Sequence, residues 1–550
     1  MAIWQPPEEA ATPASEPEAT KREYIVVLKK DVDYDAFWEQ IETASEDDGF
    51  VPTRRVDIIN ERPGSRRSCH YSLTDEEADQ LRNDPRIYGV EIPPEQRDDI
   101  EIGLHAIQEG TWRKTASISS DDQNWGLLRG VNSTDPWNTQ TSLSESYPYT
   151  LTGKGVDVVI QDSGVTTDHT EWLDENGNSR YRSIDWYEAS GLPGTQDPNH
   201  DRDINGHGSH CAGTVAGRTL GWAKDAHIYH VKVNGLESYY SGDNTGISIS
   251  DCFDVIKLWH RNKPIDPKTG FKRPTVVNMS WGYGGTRTSS TVASGIYRGT
   301  SWTSADAGFT NNTEQWQTAG IIPPVGLNRR TNVRVASVDV DLEELIDEGV
   351  HVCVAAGNSY YYIASEGDQD WDNVANFGSE NEYYHRGSSP YSTNAFIVGN
   401  IDIDYQGGLE NKAESSCCGA GVDIYAPGSE IISVSSKDLS GSNEIVDLGA
   451  ATTPTFTGSN YNLMKISGTS MASPNVAGMI ATILEANPGM TPAQMKTFLH
   501  NNATQNLLYD GTTDDWNDQD SIQGGPNRIF KTPFTSSTSI RTSNVIIRKS

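Results

Sequence analysis

The sequence predicts an α/β chain built on a mostly parallel sheet with helices on both faces, preceded by a small α+β domain. Three observations predict it. Six short apolar runs between 155 and 428 are each bounded by glycine or a turn, the pattern of strands buried on both faces. Helical patterns lie between several of these runs, and strands alternating with helices imply parallel pairing. Ahead of them, residues 23–96 carry a separate order of their own, β-α-β-β-α-β.

Taken in order, residues 1–22 are rich in Pro, Ala, Glu and Thr and read as a disordered tail, since such a composition buries too little apolar surface to offset the entropy of ordering. EYIVVLK then reads as a strand, YDAFWEQIETA as an amphipathic helix, PTRRVDIINER and SCHYSLT as strands, DEEADQLRNDP as a helix and IYGVEIPP as a last strand. This is the ferredoxin-like order, over 23–96. Residues 97–124 are polar, lack strong periodicity and read as a linker. The larger domain spans 125–505, with strands at 155–162, 226–233, 274–280, 349–357, 395–401 and 422–428 and helices at 251–261, 339–349 and 475–486. A further helix at 491–501 has Thr491 as N-cap and Pro492 in its first turn. Residues 506–550 form an Asp-, Ser- and Thr-rich extension that carries little pattern.

Composition narrows the function. The 550 residues carry a formal charge of −33, a field that repels nucleic acid and anionic membrane surfaces, so neither is an expected partner. No run approaches the ~18 apolar residues of a membrane span. Six cysteines with no CxxC pair suggest neither a disulfide scaffold nor a zinc site. The chain's start has no basic segment followed by an apolar one, which predicts a cytoplasmic protein, or one released or packaged in a particle by a route without a signal peptide.

Three segments crowded with Gly, Ser and Ala stand at element ends, where an α/β sheet keeps its binding crevice. Gln161-Asp162-Ser163-Gly164 follows a strand; Asn205-Gly206-His207-Gly208-Ser209-His210-Cys211-Ala212-Gly213 sets small residues beside imidazoles; Ile466-Ser467-Gly468-Thr469-Ser470-Met471-Ala472-Ser473-Pro474 precedes a helix. A serine hydroxyl is a poor nucleophile unless a base and a group orienting that base stand beside it, and these segments supply all three parts. Alone, each residue reads as a turn former, a core histidine or an N-cap; together on one α/β frame they read as a site.

DSGV (162–165), GHGSHCAGTVAG (206–217), NMSWG (278–282), VAAGNS (354–359) and SGTSMASPNVAG (467–478) resemble, in order and over about 155–500, the signature blocks of subtilisin-like serine proteases. The proteinase K branch is the nearest in pattern because HCAGT carries a cysteine after the second histidine. The resemblance implies Ser470 as nucleophile, His207 as general base and then acid, and Asp162 as the carboxylate that orients it. It makes His210 and Cys211 structural, and Asn358 the side-chain donor of an oxyanion hole. Ser280, Trp281 and Gly282, with the loop at Gly242-Asp243-Asn244, fall where the family pairs a substrate strand, while Ala355, Ala356 and Gly357 would line the primary pocket. No cofactor is implied for the chemistry. The metal set is unknown: Asp423 matches a calcium-binding position of some relatives and equally reads as a turn carboxylate.

The resemblance further implies a serine endopeptidase made as a zymogen, acting on polypeptides, with 23–96 resembling the inhibitory propeptide and serving as chaperone and intramolecular inhibitor. The rival expectation is a catalytically silent structural or binding protein on a protease fold. One self-cleavage is expected inside 97–124, upstream of Trp125-Gly126-Leu127-Leu128, with several bonds competing. Against compact relatives the chain carries insertions at 283–340, 359–392 and 436–464.

Overall fold

The computed structural model describes residues 20–43, 54–60, 62–97, 101–104, 125–133, 149–236, 245–287, 292–308, 316–321, 329–377, 381–438, 463–511 and 518–533. It divides into two compact units, Met1–Arg62 with Arg66–Pro93, and Pro63–Ser65 with Pro94–Ser550. Most of the expected tail, residues 1–19, lies outside the described residues.

In the first unit β1 (Lys21–Leu28), α1 (Tyr34–Thr43), β2 (Asp57–Asn60), β3 (Ser68–Thr74), α2 (Asp75–Leu81) and β4 (Ile87–Glu91) form an antiparallel sheet in the order β2-β3-β1-β4. This is the ferredoxin-like arrangement. Its core gathers Val26, Leu28, Phe37, Ile41, Tyr71, Leu73 and Leu81. The capping box of Thr74 with Glu77 sets the start of α2. β1 begins two residues before the apolar pattern because Lys21 and Arg22 pair with Thr74 and Leu73.

The second unit opens with β5 (Glu101–Leu104) and α3 (Trp125–Val131), then carries β6 (Asp157–Asp162), α4 (Trp186–Ser190), α5 (His207–Ala216), β7 (His227–Lys232), α6 (Ile249–Arg261), β8 (Thr275–Met279) and β9 (Trp281–Arg287). After these come β10 (Ser294–Tyr297), β11 (Thr300–Thr303), β12 (Arg329–Asn332), α7 (Ala336–Asp347), β13 (His351–Ala355), β14 (Val374–Asn376), β15 (Asn381–Glu382), β16 (Phe396–Gln406) and β17 (Leu409–Lys412). The last elements are β18 (Ile424–Pro427), β19 (Ile431–Val434), β20 (Leu463–Ile466), α8 (Thr469–Ala486), α9 (Pro492–Asn502), β21 (Thr504–Gln505) and β22 (Arg528–Ile529).

The central sheet runs β21-β22-β18-β16-β13-β8-β6-β7, with β17 added antiparallel on β16. From β7 to β22 every pairing along this path is parallel. Consecutive residues Val158, Val159 and Ile160 are all buried, so both faces of the sheet are covered. Because β13, β8 and β6 are parallel neighbours, their carboxyl ends deliver Asn358, Ser280 and Asp162 to one end of the sheet. α8, buried along nearly its whole length, crosses this middle. Among the described residues no helix is long and apolar enough to cross a membrane.

Three features exceed what the patterning predicts, the first being β5, a strand within the stretch that reads as a linker, held there by pairing with β9. The insertions at 283–340 and 359–392 share one antiparallel sheet, β11-β10-β14-β15, tied by the Arg298 guanidinium on both Asp370 oxygens at 2.8 and 2.9 Å. The larger unit also does not end at 505: β22 pairs in parallel with β18, Tyr425 opposite Ile529, and Phe530 is buried. Its polar surroundings hid a two-residue strand. Of the insertion at 436–464, residues 439–462 lie outside the described residues.

Candidate active site

Asp162 is the last residue of β6 and is fully buried. One of its oxygens, Oδ1, accepts the Ser163 N–H at 2.7 Å and meets His207 Nδ1 at 2.8 Å. The carboxyl oxygen takes a donor, so Nδ1 carries the proton and, in the neutral ring, Nε2 keeps the lone pair. That Nε2 is buried with no hydrogen-bond partner among the described residues.

His207 opens α5, whose start is clamped to the end of β6. Asp203, fully buried, accepts from the Gly206 and Ser209 N–H groups at 2.8 and 2.9 Å and from the Ser163 and Ser209 hydroxyls at 2.9 and 2.6 Å. Burial pushes its carboxyl above the usual range, against the pull of these donors. The sequence reading missed Asp203. Its one signal, an Asp three residues before the residue-206 glycine that starts the helix, is shared by many turns. The close approach also fixes position 208: a Cβ on Gly208 would stand 2.1 Å from the Gly164 carbonyl oxygen.

Ser470 is the second residue of α8, whose cap Gly468 has φ 144°, and lies in the field of the helix's amino end. Its hydroxyl donates to the Ser280 carbonyl oxygen at 2.9 Å. Ser280 Oγ in turn donates to the Ser470 carbonyl at 3.0 Å while accepting from Asn278 Nδ2 at 2.8 Å, and Ser473 Oγ donates to Asn278 Oδ1 at 2.8 Å. One thiol touches both helices: Cys211 Sγ lies 3.9 Å from His207 Nδ1 and 3.5 Å from the Ser470 carbonyl oxygen. Burial pushes that thiol well above its ordinary pKa, so although Asp162, His207 and Cys211 cluster closely, Cys211 offers no thiolate to a metal or to a substrate.

His210 faces elsewhere. Its Nε2 is within 3.0 and 3.1 Å of the carbonyl oxygens of Ile431 and Met464, to which only an N–H can donate, and burial lowers its pKa to about 3. His210→Ala should therefore cost about 1–3 kcal/mol of stability, since two buried carbonyls lose their donor, while turnover of the folded fraction stays near the parent's. Because the folded pKa lies below the ordinary value of 6.5, the unfolded chain protonates first, and this group removes stability as pH falls from 6.5 toward 3. The variant should show a shallower loss over that window in thermal melts. A folded variant without activity would make His210 the base.

Asn358 follows β13. Its Oδ1 accepts both the N–H and the hydroxyl of Thr469 at 3.0 Å, which fixes the amide's orientation, and its Nδ2 is buried without a partner among the described residues. Thr469 Oγ1 also accepts the Gly357 N–H at 3.2 Å. Ala355 and Ala356 are buried at the end of the same strand, and Gly357 has φ 105°. The structure thus brings Asp162, His207, Ser470, Ser280 and Asn358 to one place.

Trp281 and Gly282 open β9, which is paired on both sides: with β12, and antiparallel with β5. The Trp281 ring is fully buried and packs edge-on against Tyr283 at 5.9 Å. Gly242, Asp243 and Asn244 lie outside the described residues. Asp423 does not fit a calcium site: Lys496 Nζ stands 2.7 Å from its Oδ1, and its Oδ2 accepts the Ile397 N–H at 2.9 Å, so an ammonium occupies the place of a cation. The six cysteines are all buried, and none of them is joined in a disulfide.

Comparison with known proteins adds the family. Residues 153–529 match the Subtilase family. The extracellular serine proteinase of Thermus sp. (strain Rt41A) is 25% identical over 532 residues, covering 94% of this chain and 91% of that one. A subtilisin-like serine protease of Cochliobolus lunatus is 27% identical over 431 residues, covering 76% of this chain and 58% of the relative. A crystallised cold-adapted subtilisin-like serine proteinase aligns at 23% identity and TM-score 0.44, covering 74% of this chain and 97% of that one. These relatives correct the expectation of a cytoplasmic protein: the Thermus proteinase, matched along nearly its whole length, is by name extracellular, and the composition of the first residues is too little to decide location. With the family's match spanning the whole central sheet and the helix that carries Ser470, the chain belongs to the subtilase family and is a subtilisin-like serine protease.

Proposed function

We propose that the protein is an endopeptidase made as a zymogen, with Asp162, His207 and Ser470 as its triad. The observation that carries this reading is the bare Nε2 of His207, whose opposite nitrogen Asp162 holds at 2.8 Å, on a ring that touches the same Cys211 thiol as the Ser470 carbonyl. In the reaction Ser470 Oγ leaves the Ser280 carbonyl, gives its proton to Nε2 and adds to the substrate carbonyl. Charge then develops on the carbonyl oxygen, where Asn358 Nδ2 and the Ser470 N–H donate to it. His207 returns the proton to the leaving nitrogen, and water repeats the sequence on the ester. These side chains complete the chemistry without a cofactor.

A polypeptide substrate would add a strand to the edge at Ser280–Gly282, with its side chain beside Ala355, Ala356 and Gly357. The ferredoxin-like unit would act in cis as chaperone and inhibitor, which the position of β5, shortly after β4 and on that same edge, supports. The test is a fluorophosphonate probe on the processed enzyme. Labelling is expected on Ser470 alone and should disappear in His207→Ala; a processed enzyme that hydrolyses casein yet never labels at Ser470 would overturn the assignment.

A further inference from the structure

Three oxygen atoms from the starts of two strands converge on one point. Thr393 and Ala395 stand just before β16, and Asp423 just before β18. The two backbone carbonyl oxygens and Asp423 Oδ1 lie 2.6, 2.7 and 2.7 Å from Nζ of Lys496, near the start of α9. An ammonium has three N–H groups and no acceptor, so each N–H finds one oxygen. The other oxygen of Asp423 accepts the Ile397 N–H at 2.9 Å, and His500 Nε2, 3.9 Å from Oδ1, is beyond hydrogen-bond reach. The cradle thus pairs one carboxylate with one ammonium.

We propose that Lys496 is a built-in cation: its ammonium fills the place of a bound divalent ion and pins α9 to the starts of β16 and β18 without one. The oxygens themselves suit a hard cation such as calcium, whose ligands stand at roughly 2.3–2.6 Å, so the cradle would need to contract by only a few tenths of an ångström. Two considerations favour the ammonium. A single carboxylate balances its charge fully but a divalent ion's only by half, and with two carbonyls as the remaining protein donors such an ion would bind in about the 10⁻⁴–10⁻³ M class. The ammonium is also tethered through α9, so it meets the carboxylate without the loss of translational freedom that binding a free ion costs. Removing it should therefore open a divalent site that the wild type lacks. The cradle sits at the amino ends of β16 and β18, which run parallel to β13, and so at the opposite end of the sheet from Asp162, Ser280 and Asn358. Its effect is on stability.

Thermal melts of the full chain test this, in a Ser470→Ala background so that no self-digestion contributes. In EDTA, Lys496→Ala should melt roughly 5 °C below that parent, because the Asp423 carboxylate loses its partner. Calcium chloride at about 10 mM, tenfold above the weak end of that affinity class, should recover at least half of the loss, and more than it raises the parent. Adding Asp423→Asn should abolish the recovery. Lys496→Gln, which keeps donors for the carbonyls and removes the charge, is the second variant and should show the same order. Folding of either variant in calcium but not in EDTA would support the proposal as well. A Lys496→Ala that melts with its parent in EDTA, a calcium shift no larger than the parent's, a recovery that survives Asp423→Asn, or failure of both variants to fold in calcium would each overturn it.

Discussion

Ser470→Ala should leave a folded chain whose peptidase rate is lower by about 10⁶, the loss that removal of the triad serine carries in subtilisin. The fold should survive because the hydroxyl contributes one hydrogen bond, to the Ser280 carbonyl, while the backbone around it is held by other groups: Ser280 Oγ and Cys211 on the Ser470 carbonyl, and Asn358 on the preceding N–H. Nothing else there can form the acyl intermediate, since Cys211 is buried as a neutral thiol. The variant cannot cut itself, so it should be processed in trans by wild-type enzyme, repurified and assayed on a chromogenic peptide. His207→Ala should lose about as much, and the double variant little more than either, because the pair acts as one unit. A Ser470→Ala enzyme with even a tenth of the wild-type rate would refute the assignment.

How much of this was legible in the sequence depended on whether the signal was local. The apolar runs ending at Asp162, Ser280 and Gly357 were readable because a strand buried on both faces leaves an uninterrupted hydrophobic signature. The glycines at 164, 206, 208 and 468 marked where backbones approach closely, and Gly208 shows why: α5 touches the end of β6 through it. The cap of α9 at Thr491 was readable for the same reason, since an N-cap followed by proline is a two-residue pattern, and the structure adds the Gln494 side chain that completes a capping box.

What was not legible is what depends on distant partners. β5 is only four residues long in a largely polar stretch, so its brief alternation of Ile102 and Leu104 with Glu101 and Gly103 is easily passed over, and it is a strand because the edge of β9 offers unpaired backbone groups. The β10–β14 pairing joins segments about eighty residues apart that belong to two separate insertions, and neither segment specifies the other. Asp203 was hidden because its four donors come from Ser163, Gly206 and Ser209, a cluster that exists only once α5 has docked on β6. Asp423 looked like a cation ligand until folding brought Lys496 to it from α9.

Asn358→Ala is expected to lower kcat by about 10²–10³ with KM nearly unchanged, the size of effect that losing one oxyanion-hole donor has in subtilisin. The reason for the asymmetry is that the ground-state carbonyl oxygen carries little charge, so a donor aimed at it gains strength only as the tetrahedral state forms. The geometry offers such a donor in waiting, because Thr469 occupies the amide oxygen with two hydrogen bonds and leaves Nδ2 without one. The alanine variant alone would be ambiguous, since it also removes the acceptor that holds the Thr469 N–H just before Ser470. Asn358→Asp resolves this. It keeps an oxygen for Thr469, removes the donor, and sets a carboxylate where negative charge must develop. If Asn358 acts on the transition state, the aspartate variant should be at least as slow as the alanine variant while melting closer to the wild type. If it acts only by seating the start of α8, the aspartate variant should recover most of the rate. Recovery of that kind, or an effect confined to KM, would remove Asn358 from the oxyanion hole.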